Sequence, residues 1–256
     1  MKPIHHSSFT IHHSTAVILA AGAGTRLGAL GRVHSKPMVP VAGRPLIDWV
    51  IRSLRRAGVG PLIVVGHPSD SQLAAFLGEQ HPAITLVVQP QRRGIADALC
   101  HALPLVAQQA AFLACACDSL IPPADIGRLI ALGQQHVGSA VIGVLDMGRE
   151  ATASRSAVRL EGDRVVEIVE KPAPGMAASG LVALPLYWLP QSVASHIEAA
   201  PSVRGERYVS TALNAFIRSG GLVHAVWVSE RMEITTAADV DGAARWLQTH
   251  RGIGLG

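Results

Sequence analysis

The chain predicts an α/β domain of three layers, with helices on both faces of a mixed, mostly parallel sheet. Three observations carry that expectation. Short apolar runs alternate with helix-like segments along most of the sequence, the pattern of β-α-β units. The 256 residues are 49% hydrophobic, enough for one sizeable core. The rhythm breaks at residues 157–183, where strands follow one another closely and predict a small antiparallel insertion.

In chain order, residues 15–20 read as a strand that stops at glycines. A helix is expected at 45–57, where Arg52, Arg55 and Arg56 read as a solvated face, then a strand at 62–65. Turns rich in Gly, Pro and Asp then separate helix 69–77, strand 84–88, helix 94–103, strand 111–117, helix 123–136 and strand 140–144. Strands at 157–160, 165–168 and 180–183 form the insertion. Helices at 190–199 and 209–219, a strand at 223–228 and a helix at 237–248 complete the chain. Residues 1–14, with His5, His6, His12 and His13 among Ser and Thr, read as a disordered extension, and 15–250 as a single domain.

Charge and cysteines narrow the function classes. The net charge of +4 suits an anionic ligand, but no basic run is long enough for a nucleic-acid surface. No segment approaches the roughly 18 uninterrupted apolar residues of a membrane helix, and no signal peptide is visible. Three cysteines, Cys100, Cys115 and Cys117, fit a reducing cytosol, so a cytoplasmic protein is expected. Cys115 and Cys117 stand two apart in an apolar run, so on a strand both point to one face as small core residues, and a zinc site is not expected.

The most specific stretch is Ala16-Val-Ile-Leu-Ala-Ala-Gly-Ala-Gly-Thr-Arg-Leu-Gly28, followed by Ser35-Lys-Pro-Met-Val-Pro40. A glycine turn after a strand lets backbone N–H groups converge on an anion, because no side chains intervene. Arg26 and Lys36 add charge where a polyphosphate would lie. A Walker A loop needs a Gly-Lys pair, which the chain lacks, and the dinucleotide fingerprint fails because three residues separate Gly24 from Gly28. The plainer alternative is a strand-turn-helix whose glycines merely permit close packing.

The compound L-A-A-G-x-G-T-R-L with S-K-P-M-x-P-V resembles the signature of the sugar-1-phosphate nucleotidyltransferases, which include the glucose-1-phosphate thymidylyltransferase-like NDP-sugar pyrophosphorylases. The likeness runs from Thr15 to about Gln248 and weakens towards the end. It implies a Rossmann-like nucleotidyltransferase fold and Mg²⁺ as cofactor. It also implies transfer of a nucleotidyl group from a nucleoside triphosphate to a sugar-1-phosphate, with release of pyrophosphate. Ala20, Ala21, Gly22, Gly24 and Thr25 would hold the nucleotide, Arg26 the leaving pyrophosphate and Lys36 the α-phosphate region.

Further along, Gln89-Pro-Gln-Arg-Arg-Gly94 resembles the family's nucleobase element, which assigns base contacts to Gln89 and Gly94. An amide offers donor and acceptor side by side, which matches a uracil or thymine edge and favours UTP or dTTP. By itself Gln89 also reads as a polar turn residue. Asp118, at the end of an apolar strand, matches the family's Mg²⁺-binding aspartate, though Cys117 stands where glycine is usual; a turn cap is the plainer role. Glu170-Lys171-Pro172 resembles the element that holds the acceptor, giving Glu170 its hydroxyls and Lys171 its phosphate. Gly180 is expected beside them. An exposed Glu-Lys pair in a hairpin is the alternative. Just upstream, Ser156-Ala157 replaces the family's Tyr-Gly.

In the last element Glu233 takes the place of the second Mg²⁺ ligand, with Glu230 as competitor. The expected partners are a nucleoside triphosphate and a sugar-1-phosphate, and the expected state is a monomer or homodimer. Two other functions stay open at this point: a cytidylyltransferase acting on a polyol or inositol phosphate, and a non-catalytic nucleotide sensor.

Overall fold

A computed structural model of the chain describes residues 14–249. The expected extension, with its histidines, lies outside the described residues apart from Ser14. Nine strands form one sheet: β1 (Ala16–Leu19), β2 (Leu62–Gly66), β3 (Thr85–Val88), β4 (Ala111–Ala116), β5 (Ala140–Asp146), β6 (Ser156–Glu161), β7 (Arg164–Glu170), β8 (Leu181–Pro190) and β9 (Val223–Trp227). Their spatial order is β3-β2-β1-β4-β8-β5-β9-β7-β6. The first four run parallel, as do β5 and β9. The remaining neighbours pair antiparallel.

The pleat sends successive side chains to opposite faces, and the apolar runs use both. Ala16 and Ile18 belong to one buried cluster, Val17 and Leu19 to the other. Leu113 and Cys115 likewise oppose Phe112 and Ala114. One face is covered by α1 (Leu46–Arg56), α2 (Ser71–Gln80), α4 (Pro123–Gln135) and α7 (Ala237–Thr249). The other is covered by α3 (Ile95–Val106), α5 (Ala194–Ala199) and α6 (Val209–Arg218). A side chain such as Ile18, fully buried between the layers, contributes roughly 1.5–3 kcal/mol relative to exposure. Cys115 and Cys117 both point into the first cluster as free, buried thiols. Burial pushes the Cys115 thiol up to about 12, so these are inert core residues.

The three layers and the mixed sheet match the sequence reading, and the antiparallel part is larger than the small insertion expected. Residues 180–183 read as a short strand, yet β8 continues to Pro190 through the middle of the sheet. It crosses Pro185 at a register irregularity between Ala183 and Tyr187. That is where a residue without an N–H is tolerated in a ladder. The excursion that carries β6 and β7 starts from β5 at Asp146 and enters β8 at Leu181, two register partners, and its strands form the far edge of the same sheet through β7 on β9.

Short pieces beyond the sequence reading complete the fold. A two-stranded ribbon joins Ser119–Leu120 to Met232–Glu233, and single turns of helix cover Ala29–Val33 and Arg149–Thr152. Among the described residues no helix is long and apolar enough to cross a membrane.

Candidate active site

Because β1 to β4 run parallel, their carboxyl ends lie on one edge of the sheet, the usual position of a ligand crevice in open α/β sheets. A cleft of about 660 Å³ opens there. Its first wall is the glycine loop after β1. Gly24 adopts the left-handed conformation at φ 63°, and a Cβ there would fall 2.9 Å from Leu27 Cδ1 and 3.1 Å from Lys36 Cβ. Buried Leu27 pins the turn, with its N–H donating to Gly24 O at 3.0 Å. Gly22 differs. It has no left-handed φ, and nothing lies within 4 Å of its virtual Cβ. The fold alone therefore does not require glycine at a position that lines the cleft.

Ala21, Gly22, Gly24, Thr25, Arg26 and Lys36 all line this cleft. Arg26 is exposed and has no ion-pair partner among the described residues. Lys36 is buried and donates from Nζ to Asp118 Oδ2 at 2.5 Å. Ala20 is buried behind the loop with its N–H committed to Val65 O at 2.8 Å, and it lines an adjoining pocket that shares Ala21, Gly22, Ala23 and Arg92 with this cleft.

The β3 end supplies the second wall. Gln89 is buried, and its Nε2 donates to Asp97 Oδ2 at 2.9 Å and to Gly94 O at 3.2 Å. Gly94 caps α3 at φ 92°, and a Cβ there would fall 2.5 Å from Arg207 O. Glycine is thus demanded by the fold at this position as well as available to a ligand. Gly94→Ala is expected to lower stability by about 1–3 kcal/mol through left-handed strain and this clash, read as a drop in melting temperature. Arg92 bridges the two walls, its Nε donating to Ala21 O at 2.9 Å.

Asp118 ends β4 on the cleft floor. Burial by itself would raise its pKa, but the charges of Lys36 and Arg231 outweigh that and hold the carboxyl below its usual range. The ribbon registers Ser119 opposite Glu233, which carries Glu233 to the same floor. Glu233 accepts from Arg155 at 2.8 Å and from Arg231 at 3.0 Å. Its competitor Glu230 accepts from Trp246 Nε1 at 2.8 Å and does not line the cleft. Among the described residues no group of three or more His, Cys, Asp and Glu converges as a metal set.

The far wall comes from the antiparallel half. Ser156 and Glu170 are register partners on β6 and β7. Glu170 Oε2 accepts from Ser156 Oγ at 2.6 Å and from Ser210 Oγ at 3.0 Å. Lys171 holds an unusual left-handed backbone at φ 45°. Its Nζ lies 3.3 Å from the Tyr208 hydroxyl and 5.1 Å from the Tyr208 ring centre. Gly180 is not in this wall. It packs on Asp146 and the Gly148 backbone, so its small size serves the base of the excursion rather than an acceptor.

Residues 16–218 match the MobA-like NTP transferase domain. The chain belongs to that family. A relative of this NTP transferase domain is the UTP–glucose-1-phosphate uridylyltransferase AglF of Haloferax volcanii, 30% identical over 240 residues that cover 91% of this chain and 96% of the relative. Another is the bifunctional protein GlmU of Methanococcus maripaludis, 27% identical over 81% of this chain. The chain spans about half the length of that relative (48%). Among solved structures, a UDP-glucose pyrophosphorylase complexed with UDP-glucose superposes with a TM-score of 0.82, at 18% identity over 93% of this chain and 100% of the other. The UTP-bound pyrophosphorylase of Acinetobacter baumannii gives a TM-score of 0.77, at 23% identity over 95% of this chain and 96% of the other. These structures share the fold.

The candidate cleft of this NTP transferase domain also contains Arg92, Arg155, Arg231, Tyr208 and Ser210, to which sequence reasoning gave no role of their own. Arg231 lies beside Glu230 and Glu233 in a stretch singled out for its carboxylates, and nothing local marks its guanidinium as a partner of Asp118 and Glu233.

Proposed function

We propose that the protein transfers a nucleotidyl group from UTP or dTTP to a sugar-1-phosphate, giving an NDP-sugar and pyrophosphate. One observation carries this reading: a single cleft joins a phosphate-type glycine loop, an amide-bearing wall and a floor of Lys36, Asp118 and Glu233 to a separate polar wall suited to a second substrate. The uridylyltransferase of Haloferax volcanii and the solved structures with UDP-glucose and UTP bound support it.

In this reaction an oxygen of the acceptor phosphate attacks the α-phosphorus in line, and the bond from that phosphorus to the bridging oxygen of pyrophosphate breaks. The nucleophile is already anionic at neutral pH, so no general base is needed, and rate comes from positioning and charge neutralisation. Backbone N–H groups at Ala21 to Thr25 hold the phosphates, and Arg26 receives the departing pyrophosphate. Lys36 is oriented by Asp118 beneath the α-phosphate, while Lys171 and Arg155 draw the acceptor phosphate to the far wall. Asp118 and Glu233, hard carboxylate donors that both line the floor of the cleft, would hold a Mg²⁺ ion. Such an ion supplies neutralisation of the phosphate charge.

A smaller phosphorylated alcohol is the second reading. Ser156 and Ser210 already occupy Glu170 Oε2, where a sugar hydroxyl would otherwise donate. Pyrophosphate release with Mg²⁺ tests both, with dTTP, UTP, CTP, ATP and GTP each paired with sugar-1-phosphates and polyol phosphates. Release from UTP or dTTP with a sugar-1-phosphate is expected. Release only with CTP and a polyol phosphate replaces the first reading by the second. No release from a protein that binds nucleotide overturns both.

A further inference from the structure

Asp97 is 2% exposed on the first turn of α3, directly behind the glutamine that faces the cleft. Its two oxygens divide their partners, and His101 Nε2 also stands 3.7 Å from Oδ2. Oδ1 faces guanidinium groups, Arg93 at 3.2 Å and Arg207 at 3.4 Å. Oδ2 accepts from Gln89 Nε2 at 2.9 Å. Burial alone would raise this carboxyl, but Gln89, Arg93, His101 and Arg207 outweigh it and hold the group below its usual range. A carboxylate can only accept hydrogen bonds, so the amide nitrogen of Gln89 must face it. The same nitrogen also donates to Gly94 O, which uses both of its hydrogens. The oxygen Oε1 is then the only amide atom that Gln89 can offer to the cleft it lines.

We propose that Asp97 is the positioning residue that sets base selectivity, by fixing the Gln89 amide so that the nucleobase must present a hydrogen-bond donor. This rests on the reading of the cleft as a nucleoside triphosphate site. The N3–H of uracil or thymine supplies the donor, whereas pyrimidin-2-one offers only acceptors on that edge. Facing Oε1, an acceptor-only edge leaves two lone pairs opposed and the buried amide oxygen unsatisfied, a loss of about ten- to a hundredfold in affinity.

The division of the Asp97 oxygens makes the proposal sharp. In Asp97→Asn the arginines retain Oδ1, so the new Nδ2 turns towards Gln89. Gln89 Nε2 then loses its charged acceptor and keeps only Gly94 O, so the amide is no longer held in one orientation and the preference for a donor edge weakens. Arg93→Gln removes a partner of Asp97 whose side chain is 56% exposed, without touching the Asp97–Gln89 bond, and so keeps the preference.

The test is equilibrium binding of UTP and of the pyrimidin-2-one ribonucleoside triphosphate to the full chain, by calorimetry. Wild type is expected to favour UTP by tenfold or more. Asp97→Asn is expected to shrink that ratio at least tenfold, and Arg93→Gln to hold it within about twofold. Equal binding of the two nucleotides by wild type overturns the proposal, as does a wild-type ratio in a folded Asp97→Asn protein. If Asp97→Asn does not fold, Asp97→Ser takes its place, since its shorter hydroxyl releases the Gln89 amide, and a wild-type ratio in that folded variant overturns the proposal equally. Binding requires no turnover, so a protein that discriminates as expected but releases no pyrophosphate defeats the proposed activity and leaves this inference standing. A protein that binds neither nucleotide overturns both.

Discussion

Arg26→Ala is expected to lower kcat by about 10²–10³-fold, the effect of removing one preorganised donor from a developing charge. Its melting temperature should stay within about 2 °C of wild type, as for other surface substitutions. The separation of the two readouts follows from where the residue stands. Arg26 is exposed at the mouth of the cleft, on a turn anchored by its neighbour Leu27, and it forms no ion pair among the described residues. Nothing in the fold loses a contact when it is removed. A leaving pyrophosphate loses its counter-charge. Steady-state pyrophosphate release beside a thermal melt checks the pair, and full activity in the alanine variant would remove Arg26 from the mechanism.

Lys36→Ala is expected to fail in both readouts. The Lys36 and Asp118 side chains are 10% and 21% exposed and meet at 2.5 Å. Removing the ammonium leaves a largely buried carboxylate with the Arg231 charge and the Ser119 hydroxyl for compensation, at a cost of about 3 kcal/mol. In a domain of this size that lowers the melting temperature by about 6–12 °C. Activity should fall by at least the factor expected for Arg26, because the charge under the α-phosphate and the orientation of Asp118 vanish together. Exchanging both partners for apolar residues separates the effects. Lys36→Met with Asp118→Leu removes both charges of the pair and leaves Arg231 on Glu233, so most of the melting temperature recovers while activity does not. If that double variant were active, the ion pair would be a structural device only.

What the sequence made legible was local. The glycine loop declares itself because its geometry, its charge and the strand before it lie within thirteen consecutive residues, Ala16 to Gly28. Asp118 was visible as a carboxylate that ends an apolar run. The strands and helices followed from periodicity, since each needs only its own segment to show its buried face. The far wall was a different matter. Arg155 comes from the loop before β6, Arg231 from the turn before the ribbon and Ser210 from α6, and only tertiary packing converges them on Glu233 and Glu170. No spacing rule relates residues so far apart. Ala20 and Gly180 show the complementary limit: a matching position in a motif does not reveal whether the backbone N–H is already bonded or the space already filled. The course of β8 was hidden by Pro185, which reads as a strand end and is accommodated at an irregularity in the ladder.

The pairing of Asp146 with Leu181 has a consequence for how such a protein diversifies. The chain between them carries β6 and β7, with Arg155, Ser156, Glu170 and Lys171, and it begins and ends at one point of the sheet, closed by Met147 N–H on Gly180 O. It is an inserted hairpin anchored at that base and again where β7 meets β9 and Ile168 meets Asn214. None of those anchors touches β1 to β4, which carry the glycine loop, Gln89 and Asp118, so a change in the hairpin's length leaves their register in place. Under the proposed reaction one half of the molecule would stay constant for the nucleotide while the other is refitted to new acceptors, a division of labour written into the order of the strands.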